Sequence, residues 1–165
     1  MRKRLITQGA QGKIPSDENW MDLENSAQAE LTSEDASHPI ESALNPGLGS
    51  GWRASEPGQQ TVRLLFDKPL RVKRVHLVFH EDEEQRTHEF LLRWSSDGGR
   101  SCREIVRQQY HFSPPDNTRE IEDYEVDLFE LTVLEIIISP DISGGCAHAS
   151  IAELRLAYSG YPNIP

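Results

Sequence analysis

Three stretches of the chain carry side chains whose types and spacing could do chemistry. Residues 80–88 gather His80, Glu81, Asp82, Glu83, Glu84, Arg86 and His88. Imidazoles mixed with carboxylates and a guanidinium can hold a metal, respond to pH or offer hydrogen bonds to a polar ligand, and a charge run of this kind also serves simply as a solvated loop. Trp52-Arg53 joins an aromatic face to a forked donor suited to hydroxyls or carboxylates. Trp52 has a second reading, as a plug that closes the end of a core. Cys146-Ala147-His148-Ala149-Ser150 sets two nucleophile types beside a histidine. Neighbours in sequence do not make a triad, and no G-x-S-x-G elbow surrounds them, so no catalysis is expected. Gly144-Gly145 reads as a turn and not a phosphate loop, because no helical pattern follows it.

The elements that must position these groups are strands. Val75, Leu77 and Phe79 alternate with Arg74, His76 and Val78, and Phe90, Leu92 and Trp94 alternate with Leu91, Arg93 and Ser95, the period of two of half-buried strands. Ser96-Asp97-Gly98-Gly99 supplies residues that tolerate positive φ, so the chain turns back into a third strand. Other strands are expected at 27–31, at 62–66 ending before Pro69, at 104–112, at 123–128 with an acidic solvated face, at 133–138 as a doubly buried run, and at 152–158. The pattern predicts about eight strands in an antiparallel β-sandwich of jelly-roll type, with Val75, Leu77, Phe79, Phe90, Leu92, Trp94, Leu154 and Leu156 buried between the sheets. One short helix, capped by Ser16 or Asp17 and containing Trp20, Met21 and Leu23, is the only helix expected. Residues 32–53 lack a sustained period and read as a long loop, a feature more often functional than idle.

The chain has 165 residues, 36% hydrophobic, which suits one domain: a flexible arm over 1–25, the sandwich over 26–159 and a tail over 160–165. A formal charge of −10 argues against nucleic acid and anionic membranes as partners. Cys102 and Cys146 are too few for a disulfide framework and read as free thiols. Met1-Arg2-Lys3-Arg4 is followed by no apolar h-region, and no run approaches a membrane span, so a cytoplasmic location is expected.

The order of these features resembles the discoidin, or coagulation factor 5/8 type C, family of galactose-binding-like folds. The resemblance covers residues 27–158. It is carried by Ala36-Ser37-His38-Pro39, Ala43-Leu44-Asn45, the loop Pro46-Gly47-Leu48-Gly49-Ser50-Gly51-Trp52-Arg53, the strands around Ser96-Asp97-Gly98, and Ile151-Ala152-Glu153-Leu154. Asn45 stands where many members have aspartate, Thr61 where they have an aromatic residue, and Cys102 near a usual tryptophan.

The resemblance implies a non-catalytic binding module that recognises a carbohydrate through loops at one end of the sandwich, where the 37–53 loop neighbours residues 80–88. His38, Trp52, Arg53, His80, Arg86 and His88 are then the ligand candidates. It also implies a structural calcium held by the Glu153 side chain, by Asn45, and by carbonyls near Leu48 and Ser50. The alternative reading of Glu153 is satisfaction by amides or an arginine. A protein-interaction module using the same loops is the second functional reading, and an enzyme of unknown reaction the third.

Overall fold

A computed structural model describes residues 20–45, 47 and 49–158. Its strands are β1 (Ala27–Leu31), β2 (Trp52–Pro57), β3 (Gln60–His80), β4 (Arg86–Ser95), β5 (Arg103–Phe112), β6 (Arg119–Ser139), β7 (His148–Ile151) and β8 (Glu153–Ala157), with the one-turn helices α1 (Leu23–Ser26) and α2 (Glu41–Leu44). Every strand pairing is antiparallel. No helix among the described residues is long and apolar enough to cross a membrane.

The two 21-residue strands, β3 and β6, build the sandwich by serving both layers. The first half of β3 pairs with β1 and with Val133–Ile138 of β6, which in turn carries β4 and β5. The second half of β3 pairs with β8 and with the first half of β6. Between the halves the register shifts around Leu65, Leu70 and Val72, and Glu130 adopts φ 58°. Pro69 falls in that break, where its missing N–H leaves no ladder bond unmade. The sequence reading split each long strand in two at this place; the chain bends there without leaving the sheet.

Alternation fills the space between the layers. Val75, Leu77, Phe79, Phe90, Leu92, Leu154 and Leu156 are all buried, and the Phe79 and Phe90 rings from opposite layers lie 5.0 Å apart. Trp94 is only half-buried at the edge of this core, under the Arg103 guanidinium at 5.7 Å. The acidic face of β6 is partly neutralised: Asp127 meets Arg71 and Lys73, and Asp123 meets Arg74.

Two local expectations need correction. Trp20 is not in a helix; it bridges to Ala157, and its ring lies over Arg155 at 4.4 Å. Ser16 and Asp17 lie outside the described residues, and α1 begins later, at Leu23. Residues 32–53 are not one loop, since they contain α2 and run into β2. A four-residue helix and a strand bounded by Gly51 and Pro57 are too short to impose a visible period.

Candidate functional site

At one end of the sandwich a cavity of about 290 Å³ opens between β2, β7 and the turn joining β3 to β4. Its position is set by Gly51. That residue has φ +73°, and a Cβ there would stand 2.6 Å from the Ile151 carbonyl oxygen and 2.9 Å from the Ala152 Cα. Only glycine lets the chain pass so close to β7. The next residue, Trp52, pairs with Ile151 and is 1% exposed, so alternation along β2 sends Trp52 and Ala54 inward and Arg53 outward.

Arg53 stands opposite Ser150 and lines the cavity. Its backbone is held on both sides: its N–H donates to the His38 carbonyl at 3.1 Å, and its carbonyl accepts from Asp35 N–H at 2.8 Å. The 35–38 turn is itself closed by the Asp35 carboxylate, which accepts Ser37 N–H at 3.0 Å and Ser37 O–H at 2.8 Å. Those bonds, the backbone one first, hold the Asp35 carboxyl below its usual range. The Arg53 guanidinium makes no hydrogen bond or ion pair with any described side chain, and the residue is exposed. A rigid backbone therefore presents an unpaired forked donor to the cavity.

Three histidines face the same space. His80 is exposed at the end of β3, and His38 is half-buried beside Asp35. His148 Nδ1 lies 3.0 Å from the Ala54 carbonyl, which can only accept, so Nδ1 is the donor of this pair. Asp82, Glu83 and Glu84 form an acidic, exposed rim. Glu81 shapes that rim from beneath. Its carboxylate accepts Glu83 N–H at 3.0 Å, Glu84 N–H at 3.2 Å and Arg86 Nε at 2.7 Å. Burial pushes the Glu81 carboxyl up, and these bonds outweigh it, so the net direction is down.

The sequence candidates thus separate. His38, Arg53 and His80 come together around the cavity. Arg86 reaches its wall but is 6% exposed, with its guanidinium committed to Glu81 and the Pro140 carbonyl. Its role is to hold the turn. His88 does not join the site: two residues along β4 from Arg86, it points into the core between Phe79 and Phe112, at 4.7 and 5.0 Å. There its Nε2 meets Glu120 Oε1 at 2.5 Å. Burial, reinforced by Arg86, pulls His88 down to about 3, so the imidazole is held uncharged, and burial raises Glu120. Trp52 offers no face for stacking at 1% exposure. In the sequence His148 and Ser150 read only as part of a nucleophile cluster; the signal for their place at the site is the alternation with buried Ala149 and Ile151, which spans just four residues.

Of the calcium candidates, Asn45 and Glu153 do not line the cavity and Ser50 stands on its wall. Asn45 Oδ1 accepts Gly47 N–H at 3.1 Å, and Arg155 Nε stands 3.9 Å from Glu153 Oε1. Leu48 lies outside the described residues. No group of three or more metal-ligating His, Cys, Asp or Glu side chains occurs among the described residues. Calcium takes six to eight oxygens, so carbonyls of the 45–51 loop would have to supply most of them.

Solved structures share this architecture at low identity. The family 32 carbohydrate-binding module of C. perfringens NanJ, in complex with galactose, is 18% identical with a TM-score of 0.58, covering 84% of this chain and 98% of that chain. CpGH89CBM32-5 from Clostridium perfringens, in complex with GalNAc-β-1,3-galactose, is 17% identical with a TM-score of 0.60 over 84% of this chain and 99% of that one. A pectin-binding carbohydrate-binding module is 15% identical, with a TM-score of 0.60 over 84% and 95%. No protein-family model and no curated protein matches the chain. The chain has the galactose-binding-like, discoidin-type β-sandwich fold. Within that fold, its solved neighbours include carbohydrate-binding modules.

Proposed function

We propose that this protein is a non-catalytic module that binds a neutral glycan in the end cavity, with Arg53 as its main polar anchor. The observation that carries this reading is the Arg53 guanidinium, unpaired among the described residues and held on a fixed backbone beside His38, His80 and His148. Sugar hydroxyls are both donors and acceptors; Arg53 supplies donors, and the carboxylates of Asp82, Glu83 and Glu84 supply acceptors. The exposed carboxylates of Asp82, Glu83 and Glu84 at the rim favour an uncharged ligand over an acidic one, as does the chain's net charge of −10. Galactose and GalNAc-β-1,3-galactose in the neighbouring modules fit this class.

The arrangement of Asp35, Ser37 and His38 supports a non-catalytic role. Ser37 Oγ and Asp35 Oδ2 both approach the same ring nitrogen of His38, at 3.4 and 3.5 Å, and the Ser37 hydroxyl donates to Asp35 instead. Proton relay needs the serine on one nitrogen and the acid on the other. The lack of an exposed aromatic face among the described residues of the cavity favours the second reading, a protein-interaction module using the same surface. A glycan array probed with labelled protein tests the choice. Binding to neutral glycans that falls about tenfold or more in Arg53→Ala, a loss of roughly 1.5 to 3 kcal/mol, supports the glycan. An empty array, with a polypeptide recovered only by the protein carrying Arg53, overturns it.

A further inference from the structure

The end cavity is not isolated. Ala147 on its wall also borders a second hollow of about 330 Å³, over the turn at Gly58 and the loop between β6 and β7. That hollow shares Gln59, Glu89 and Ser139 with a third, of about 190 Å³, on the outer face of the sheet. The joints are close ones: Gly58 N–H donates to the Ala147 carbonyl at 3.1 Å, and Ser139 and Glu89 are register partners.

We propose that these hollows form one trough, and that the protein binds an uncharged oligosaccharide along it, with Arg53 gripping one unit and the outer sheet face receiving those that follow. This rests on the glycan reading of the cavity. From Gly58 to the Thr61–Ile137 pair is three residues, roughly 10 Å of extended chain, a distance that a single sugar in the cavity does not span.

The trough has the surface of a sugar-chain site. Its floor is apolar where Ile137 pairs with Leu91, both half-buried, and Ile142, 51% exposed, stands on its wall. Such patches suit the C–H faces of pyranose rings. Around them Gln59 and Ser139 offer amide and hydroxyl groups. Its outer part carries one paired charge, Arg107 Nη1 at 3.5 Å from Glu89, and Asp141 on the second hollow accepts hydrogen bonds from Ser143 and has no ion pair among the described residues, so the lining leans acidic. An acidic lining over an apolar floor fits a neutral chain better than a polyuronate.

Isothermal titration of the full chain with galactose and with β-1,4-linked galactopentaose tests this. The wild type should bind the pentaose at least about tenfold more tightly than galactose. The Gln59→Ala/Ile142→Ser double variant should lose that gain while binding galactose as before. The statistical advantage of several equivalent units is the same for both proteins, so their comparison isolates the trough. Arg53→Ala should lose both ligands. Galactose binding without any gain for the pentaose, or a gain untouched by the double variant, overturns the trough and leaves the cavity standing. Binding of neither sugar overturns the galactose-type glycan reading and the trough with it.

Discussion

Replacing Trp52 separates a core plug from a stacking platform. The indole is 1% exposed, pairs across to Ile151 and closes the end of the core beneath Arg53. Truncation to alanine removes a whole buried aromatic ring, which costs about 3 to 5 kcal/mol. For a chain of this size each kcal/mol moves the melting temperature by roughly 2 to 4 °C. Trp52→Ala should therefore melt about 6 to 20 °C below the wild type. Trp52→Phe should behave differently. It keeps most of the ring and removes Nε1–H, a buried donor with no acceptor among the described residues. An unpaired buried donor costs about 1 to 3 kcal/mol, which offsets much of the lost area, so the phenylalanine variant should fall by less than about 1.5 kcal/mol. Calorimetric melting of both variants, with glycan titration of the phenylalanine one, makes the comparison. If Trp52→Ala melts like the wild type yet loses glycan, the ring is a binding face and the burial argument fails.

Other outcomes follow from individual contacts. Gly51→Ala should destabilise by more than about 2 kcal/mol, because it combines a left-handed φ with a Cβ 2.6 Å from a carbonyl oxygen; a wild-type melting curve would contradict the close β2–β7 approach. Two shifted groups, buried His88 and half-buried Glu122, give a pH signature. His88, held down at about 3 against an ordinary 6.5, contributes stability that is complete above pH 6.5 and is lost as pH falls toward 3. Glu122, raised by burial and by Glu120 to about 7 from 4.5, contributes in the opposite sense: its share is full below 4.5 and is lost as pH rises through 7. In urea unfolding the two oppose each other between pH 4.5 and 6.5. Glu122→Gln should remove its opposing share, so stability falls more steeply than in the wild type as pH drops, by up to about 1.4 kcal/mol more per pH unit; a variant curve no steeper than the wild type's would refute the assignment. For the calcium proposal, millimolar calcium should raise the melting temperature by mass action if Asn45, Glu153 and the 45–51 carbonyls bind it, and an unchanged melt sinks that site.

The strands that were legible in the sequence are those long enough, and buried on one face, to show a period of two. Phe90 and Leu92 announce β4 because each buried residue alternates with a half-exposed one. β2 and β7 pair mainly with each other and run only six and four residues, so Trp52-Arg53 read as loop and Ser150 as part of a nucleophile cluster. Arg53 and His80 were identifiable by type, yet their meeting depends on the β2–β7 register, which no local pattern encodes. Arg86 and His88 show the opposite failure. Polar residues in a charge run imply solvent, but the strand period starts at Arg86, and parity with Phe90 turns both side chains inward, where Glu81, the Pro140 carbonyl and Glu120 satisfy them.

The central claim, that a neutral glycan sits against Arg53 in the end cavity, is tested most directly by nitrogen-15 chemical-shift mapping during titration with a glycan selected on the array. The account predicts saturable shifts in the amides of residues 37–38, Arg53, 80–84 and 147–150, and their loss in Arg53→Ala at an unchanged melting temperature. Saturable shifts confined to another face of the sandwich, with Arg53→Ala binding as the wild type does, would contradict it.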